Sequence, residues 1–308
     1  MTELNRSPLN GVERDMVIAN HRYGFSSIGE RRKFLWPGGK KVAVYIAINI
    51  EWFSFGEGKG ATIVPSASHD AVVNYAWRDY GNRVGVDRLR RFCDQLNIVP
   101  TLVVNTSSYE FAREIVKGFD SFNPEIVAHG ETNSVSQDGM TVEEERRMIE
   151  GCRATIQSVH GKPPSGWLSP WIAETEVTSD ILSELGYEYT LNWCSDDQPF
   201  GINTKTGTLL SVPYPQELND IPSILGRGID AYTFGKMIID TYRELSEYQE
   251  YASVMGIAVH PYIIAQPHRM VEFRRVITEL RTLSEIWWTT PGQIAQYFSS
   301  EVGDIRYG

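Results

Sequence analysis

The sequence has few cysteines, no long apolar run and no excess of basic residues. Its three cysteines, Cys93, Cys152 and Cys194, form no CxxC pair, so a disulfide framework is not expected. The longest apolar stretch, Val42–Ile50, has about half the length that a membrane-spanning helix requires. Acidic residues outnumber basic ones by 39 to 29, which gives a formal net charge of -10. This balance argues against nucleic acid or an anionic membrane as a partner.

The N-terminal segment also lacks the features of an export signal. Met1–Asn20 contains charged residues of both signs and no apolar core, so we expect a cytoplasmic protein that does not enter a membrane. With 42% hydrophobic residues in a chain of 308, there is enough apolar material for a sizeable core. No Pro/Ser-rich linker or repeat divides the chain. The sequence therefore predicts one domain (36–308) preceded by an N-terminal arm (1–35).

Short β-branched runs alternate with amphipathic segments along most of the chain. The runs are typical of buried strands and comprise Val42–Ile50, Ile98–Asn105, Glu125–His129, Tyr187–Trp193, Leu209–Val212 and Val254–His260. Helical periodicity is found in Val86–Leu96, Thr141–Val159 and Phe234–Tyr248. Thr141 and Glu144 form a capping-box pattern at the start of the second helix. This alternation predicts a mainly parallel sheet covered by helices, and both an open sheet and a barrel fit the pattern.

Polar and aromatic residues follow the predicted strands, where the active sites of parallel barrels lie. Glu51 follows the first strand, His129 ends the third and His260 ends the last. A carboxylate and two histidines at one mouth are the minimum set for general acid–base hydrolysis. Further candidates at this edge could orient water or form a flat wall against a substrate: Asn49, Trp52, Asn133, Trp171, Trp193, Tyr214 and Tyr262.

The order of these motifs resembles that of the polysaccharide deacetylase (NodB-homology) superfamily. The family's aspartate motif, histidine motif, R-x-P motif and L-H motif correspond in position to Asn49–Trp52, Glu125–Gly130, Ser169–Trp171 and Ala258–Pro261. The resemblance spans roughly residues 41–298. It implies an α/β fold, a distorted and incomplete (β/α) barrel, with the active site at the carboxyl ends of the strands.

The metal ligands of that family are only partly retained. The family motif has two metal-binding histidines, and the second is Asn133 here. Either Glu51 or Asn49 takes the position of the base aspartate, depending on the alignment. Asparagine is a poor zinc ligand, so no cofactor is expected. A divalent metal such as zinc, held by Glu51, His129 and Asn133, is the alternative.

This pattern is similar to that of the cofactor-independent allantoinases and related cyclic amide hydrolases. The resemblance implies hydrolysis of a non-peptide C–N bond in a small linear or cyclic amide. Glu51 would activate water, His260 would protonate the leaving nitrogen, and His129 and Asn133 would orient water or stabilise the oxyanion. Burial beside Trp52 is expected to raise the pKa of Glu51 toward a value that suits a general base.

Two other functions are consistent with the sequence. One is a metal-dependent N-deacetylase of an acetylated carbohydrate, and the other is a catalytically inactive barrel that binds a small amide or sugar. The expected partners are a small-molecule substrate and further copies of the chain in a symmetric homo-oligomer.

Overall fold

Nine strands form one sheet in the computed structural model, which describes residues 20–302. The strands are β1 (Val42–Ile50), β2 (Thr101–Val104), β3 (Glu125–Ala128), β4 (Gly166–Trp167), β5 (Tyr189–Thr190), β6 (Phe200–Thr204), β7 (Gly207–Ser211), β8 (Ser253–Val259) and β9 (Ile286–Trp288). Their order is β6-β7-β5-β4-β3-β2-β1-β8, and β9 pairs with the start of β1. The pairing of β6 with β7 is antiparallel, whereas the other pairs named here are parallel.

Helices follow most of the strands and cover the sheet. They are α1 (Val72–Tyr80), α2 (Val86–Leu96), α3 (Ser107–Phe111), α4 (Arg113–Lys117), α5 (Val142–His160), α6 (Thr178–Glu184), α7 (Ala231–Arg243), α8 (Pro267–Arg281) and α9 (Pro291–Tyr297). The predicted capping box at the start of α5 is confirmed. Thr141 Oγ1 accepts from the Glu144 backbone N–H at 3.3 Å, and the Glu144 carboxylate accepts from the Thr141 N–H at 2.8 Å.

The two faces of β1 pack into different cores. The even-numbered residues from Val42 to Ile50 belong to the main core between the sheet and the helices. Ala43, Tyr45 and Ala47 belong to a smaller core on the opposite face, inside the barrel. Each fully buried Val or Ile contributes roughly 1.5–3 kcal/mol through burial. The strand that leads to the polar mouth is therefore firmly anchored along its whole length.

This alternation determines where the residues after the strands point. Side chains of a strand alternate between its faces, and the smaller core contains Val103 of β2, Val127 of β3 and Ala258 of β8. Each of these residues lies two positions before a polar residue that follows its strand. Counted in steps of two along each strand, the side chains that point to this same inner face are those of Glu51, Asn105, His129 and His260. The parallel strands thus deliver these side chains to the same end of the barrel interior.

The predicted incomplete barrel is confirmed. Among the described residues, the edge strands β6 and β8 do not pair with each other, and one parallel bridge from Asn219 to Ala258 extends the sheet beyond β8. The predicted bounds of β1 and α2 are confirmed to the residue. The strand predicted at Tyr187–Trp193 is wrong in extent, because only Tyr189–Thr190 pairs with neighbours.

Part of the predicted N-terminal arm (1–35) and almost all of Met1–Asn20 lie outside the described residues. Two largely buried ion pairs help to hold the described part of the arm. Arg22 lies 2.9 Å from Asp180, and Arg31 lies 2.6 Å from Asp196. In residues 20–302, no helix combines the length and the apolar character needed to cross a membrane.

Candidate active site

The carboxylate of Glu51 lies at the centre of a polar cluster at the ends of β1, β3 and β8. Its Oε1 atom accepts a hydrogen bond from Asn133 Nδ2 at 2.5 Å, and its Oε2 atom accepts one from the Tyr262 hydroxyl at 2.8 Å. The Nε2 atoms of His260 and His129 lie 3.3 and 3.8 Å from Oε1. The structure brings together the four residues predicted to be catalytic and places Tyr262 beside them.

His260 is held by a carboxylate that sequence reasoning missed. Its Nδ1 atom lies 2.6 Å from Asp220 Oδ1, and its backbone N–H donates to Asp220 Oδ2 at 2.9 Å. Asp220 is completely buried. It precedes the π-helical turn Ile221–Gly226, but its side chain does not cap that turn. An aspartate at a helix start is typically a cap, so the position of Asp220 in the sequence gives no signal of a role beside His260.

Both histidines are oriented through Nδ1 and present Nε2 to Glu51. Nδ1 of His129 donates to the backbone carbonyl of Leu168 at 2.7 Å. Because a carbonyl only accepts, this nitrogen carries the proton, and Nε2 of the neutral ring is an acceptor. His129 is therefore suited to accept a hydrogen bond from a water molecule. His260, with a carboxylate at each nitrogen, is suited to donate.

Asn133 is fixed through both its amide group and its backbone. Its Oδ1 atom accepts from Asn105 Nδ2 at 3.0 Å, so Nδ2 is the atom that faces Glu51. Its backbone N–H donates to the Trp52 carbonyl at 2.9 Å, and its own carbonyl accepts from Trp171 Nε1 at 2.9 Å. Asn133 thus links several strand ends and presents a donor to the central carboxylate.

The expectation that burial raises the pKa of Glu51 is wrong. Burial alone would raise this pKa, but the charge on His260 and the interactions with the two imidazoles lower it to about 2. Burial alone would likewise lower the pKa of His260, whereas the carboxylates of Glu51 and Asp220 raise it to about 10. Glu51 and His260 therefore form a buried ion pair at neutral pH.

Three of the predicted substrate contacts lie away from the centre of the cluster. Asn49 is one layer deeper than Glu51 on the same face of β1, and its Nδ2 donates to the Tyr214 hydroxyl at 3.1 Å. Both residues of this pair are buried. Trp193 packs edge-on against Tyr23 with 5.7 Å between ring centroids. Contact of Asn49, Tyr214 and Trp193 with a substrate stays a prediction.

Aromatic side chains form the outer rim of the cluster. Trp52 stacks on Phe111 with 5.4 Å between ring centroids, and Phe111 is 60% exposed. Trp171 is 38% exposed and has a φ of 61°, followed by a φ of 53° at Ile172. Consecutive left-handed residues without glycine are strained, and such strain is typical of functional sites. The hydrogen bond from Trp171 to Asn133 helps to hold this conformation.

The polar cluster beneath this rim is nearly inaccessible. Glu51, His129, Asn133 and His260 are each at most 4% exposed. A cavity of about 1140 Å³ lies at the opposite, amino end of the strands, and another of about 670 Å³ lies along residues 23–31. The Glu51–His260 pair lines neither of these two cavities. Because so little of the cluster is exposed, it suits a substrate whose reacting group is small.

The divalent metal considered as an alternative does not fit these residues. Asn133 turns a donor toward the centre, because its Oδ1 accepts from Asn105. Both carboxylate oxygens of Glu51 already accept hydrogen bonds. Of the predicted ligands, only His129 turns an acceptor atom without a hydrogen-bond donor toward the centre, whereas catalytic zinc takes three protein ligands. Within residues 20–302, no group of three or more His, Cys, Asp or Glu is placed to hold a metal ion.

Known proteins resemble this chain over most of its length. No family model matches the chain. A peptidoglycan deacetylase from Helicobacter pylori is 21% identical over 254 residues, which cover 71% of this chain and 85% of that protein. The solved structure of a probable polysaccharide deacetylase from Pseudomonas aeruginosa has a TM-score of 0.78 at 21% identity and covers 86% of this chain and 93% of that one.

The chain has the polysaccharide deacetylase fold. This fold is also that of PuuE allantoinase, whose structure has a TM-score of 0.79 at 22% identity and covers 86% of this chain and 93% of that one. The resemblance inferred from the motif order is confirmed in sequence by the Helicobacter pylori relative, and the solved structures confirm the fold that it implied. Within the polysaccharide deacetylase fold, Glu51, His129 and His260 lie at the carboxyl edge of the parallel strands, where barrel enzymes place their chemistry.

Proposed function

We propose that the chain is a metal-independent hydrolase that cleaves the C–N bond of a small linear or cyclic amide. The observation that carries this proposal is the buried pair of Glu51 and His260, 3.3 Å apart, with Asp220 2.6 Å behind the imidazole. Hydrolysis of an amide needs a base for the attacking water and an acid for the leaving nitrogen. This pair supplies both groups at one point.

Glu51 and His260 divide the proton transfers. Water attacks the carbonyl carbon and gives a proton to Glu51, while His260 donates its Nε2 proton to the leaving nitrogen as the C–N bond breaks. The pKa of Glu51, about 2, is low for a base because His260 is charged. Once His260 has given up its proton, that charge is lost and the basicity of Glu51 rises. Each transfer therefore favours the other.

The neighbouring side chains orient the reactants. His129 accepts a hydrogen bond from the attacking water through Nε2, near Oε1 of Glu51. Asn133 and Tyr262 donate to the two oxygens of Glu51 and keep the carboxylate in one orientation. The second N–H of the Asn133 amide is available to the substrate oxygen as negative charge develops there.

The surroundings of the pair favour a small, uncharged substrate. Aromatic rings of Trp52, Phe111 and Trp171 form the rim, and such surfaces suit a planar amide or ring. The buried guanidinium of Arg78, which lies over the ring of Phe53, donates to the backbone carbonyls of Ala61 and His69. It is thus engaged by the protein rather than offered to an anionic ligand.

Removal of an acetyl group from an acetylated carbohydrate is the second candidate. The likeness to the Helicobacter pylori peptidoglycan deacetylase supports it, and the same acid and base could act on an acetamide. The residues at the site do not favour the metal-dependent form of that reaction.

A barrel that only binds amides or sugars would have no use for Asp220 behind His260. A cytoplasmic location and a homo-oligomeric assembly stay predictions.

A side-by-side substrate screen tests this proposal. Allantoin, hydantoins, cyclic imides, linear ureides and acetylated oligosaccharides are offered to the parent protein and to Glu51→Gln, without added metal and with a chelator. We expect turnover of at least one small amide by the parent alone. Turnover confined to acetylated oligosaccharides would favour the second candidate. Binding without turnover in both proteins would indicate the inactive barrel.

A further inference from the structure

The helical segment from α1 to α2 is irregular where it faces the active site. The two helices continue through the π-helical turn Gly81–Gly85, in which the N–H of Val86 donates to the Gly81 carbonyl. Single π-turns inside α-helices recur at functional sites. Glycine is among the least favourable residues in a helix interior. Two glycines within one turn therefore need a physical reason.

That reason is close approach of another backbone. Gly81 and Gly85 have ordinary right-handed φ values of -56° and -64°, so a left-handed conformation does not require them. A Cβ on Gly85 would lie 2.3 Å from the carbonyl oxygen of Pro261, and one on Gly81 would lie 2.8 Å from the backbone nitrogen of Tyr262. The loop after β8 rests directly on the backbone of this turn.

The same turn also contacts the end of β1. Nδ2 of Asn82 donates to the backbone carbonyl of Glu51 at 2.9 Å. In the preceding helix, the ring centroids of Trp77 and Tyr262 lie 4.9 Å apart. The guanidinium of Arg78 lies 4.5 Å from the ring centroid of Phe53, which is two residues after Glu51. One helical segment thus holds both strand ends that carry the ion pair.

We propose that the π-helical turn Gly81–Gly85 is a positioning element that sets the separation of Glu51 and His260. Asn82 fixes the backbone of Glu51, and the two glycines seat the loop that follows His260. The groups that face the His260 ring are Glu51 from β1, Asp220 from the segment before Ile221–Gly226, and Tyr262 from its own loop. The catalytic consequence rests on the proposed function, whereas the structural consequence does not.

Two variants of the turn have matched controls. Asn82→Ala removes the hydrogen bond to Glu51, and its control is Arg83→Ala, whose exposed side chain on the same turn reaches Asp79 at 3.9 Å. Gly85→Ala introduces the clash with Pro261. Its control is Gly151→Ala inside α5, where the nearest atom to the new Cβ is 4.0 Å away. Because Gly85→Ala could prevent folding, Asn82→Ala is the variant that keeps the test decisive.

Two measurements read the effect. The first is the low-field proton resonance of the short His260–Asp220 hydrogen bond, which needs no substrate. We expect Asn82→Ala and Gly85→Ala to shift it, and the controls to leave it unchanged. The second is the kinetics on an amide that the parent hydrolyses. We expect kcat of Asn82→Ala to fall about tenfold or more with KM nearly unchanged, because small displacements of the reacting groups strongly lower the rate of the chemical step.

The outcomes separate this inference from the proposed function. A parent protein that hydrolyses no amide, but whose resonance still shifts in Asn82→Ala, would overturn the proposed function and keep the positioning role. An unchanged resonance and an unchanged kcat in folded Asn82→Ala would overturn the positioning role. Equal loss in Arg83→Ala would also overturn it, since the effect would then not depend on the contacts of the turn with Glu51 and with the loop after β8.

Discussion

Nε2 of His260 lies 3.3 Å from Oε1 of Glu51, and the opposite ring nitrogen lies 2.6 Å from Asp220. An imidazole between two carboxylates is strongly favoured in its charged form. The pair combines an acid and a base in a site where the four central side chains are almost completely buried. Its properties therefore govern both the stability and the chemistry that we expect of the protein.

Stability should depend on pH through this pair. Folding raises the pKa of His260 from 6.5 to about 10, so its contribution is complete below about pH 6.5 and is lost as the pH rises toward 10. Folding lowers the pKa of Glu51 from 4.5 to about 2, so that contribution is lost as the pH falls below about 4.5.

Thermal unfolding between pH 6 and pH 10 measures the first effect. We expect the free energy of unfolding to fall by up to about 1.4 kcal/mol per pH unit through this group. In Glu51→Gln, which lacks the negative charge, the folded-state pKa of His260 should be lower, so the decline should end at a lower pH and be smaller in total. Identical profiles for the parent and the variant would contradict the ion pair.

Asp220→Asn should weaken the acid without removing it. The variant loses the carboxylate that helps to keep His260 protonated, so less of the imidazolium is present at neutral pH. We expect kcat to fall by about 10²–10³-fold, within the range of general acid–base catalysis. The alkaline limb of the pH–rate profile should also move to lower pH. A lower kcat with an unmoved alkaline limb would assign Asp220 a purely structural role.

Trp171→Phe should loosen the rim while leaving an aromatic ring in place. It removes the hydrogen bond from Nε1 to the Asn133 carbonyl, which is worth about 1 kcal/mol. We expect kcat/KM to fall about tenfold, because Asn133 holds the catalytic carboxylate. The control is Trp287→Phe at the amino end of the barrel, which should leave kcat/KM unchanged. A similar loss in both variants would speak against a local effect.

Metal removal should leave activity intact. Asn133 presents a donor to the centre, and Glu51 has hydrogen-bond donors at both oxygens. Elemental analysis of protein purified without chelator should find no stoichiometric transition metal, and dialysis against a chelator should not change kcat. A stoichiometric zinc whose removal abolishes turnover, and whose return restores it, would refute metal independence.

The parts of the fold that follow from local pattern were predictable. β1 has nine consecutive buried residues, and its length and β-branched character leave little choice of structure. β4 and β5 have two residues each, which is too short for any periodicity to show. Their pairing depends on neighbouring strands that lie far away in the sequence.

The candidate site was predictable for residues that directly follow strands, because parallel strands deliver their ends to one edge. Asp220 follows no regular strand, and the residue that it holds lies 40 positions further along the chain. The sign of the pKa shift of Glu51 was equally hidden. The sequence indicates burial, but the opposing effect depends on an imidazolium 3.3 Å away.

The most direct test of the central claim is the turnover number of Glu51→Gln and His260→Ala on an amide that the parent hydrolyses. If the two groups act as base and acid, each substitution should lower kcat by about 10²–10⁴-fold. Circular dichroism and melting temperatures should show that both variants remain folded. Near-parental turnover in either folded variant would contradict the role given to that residue, and near-parental turnover in both would place the chemistry elsewhere in the protein.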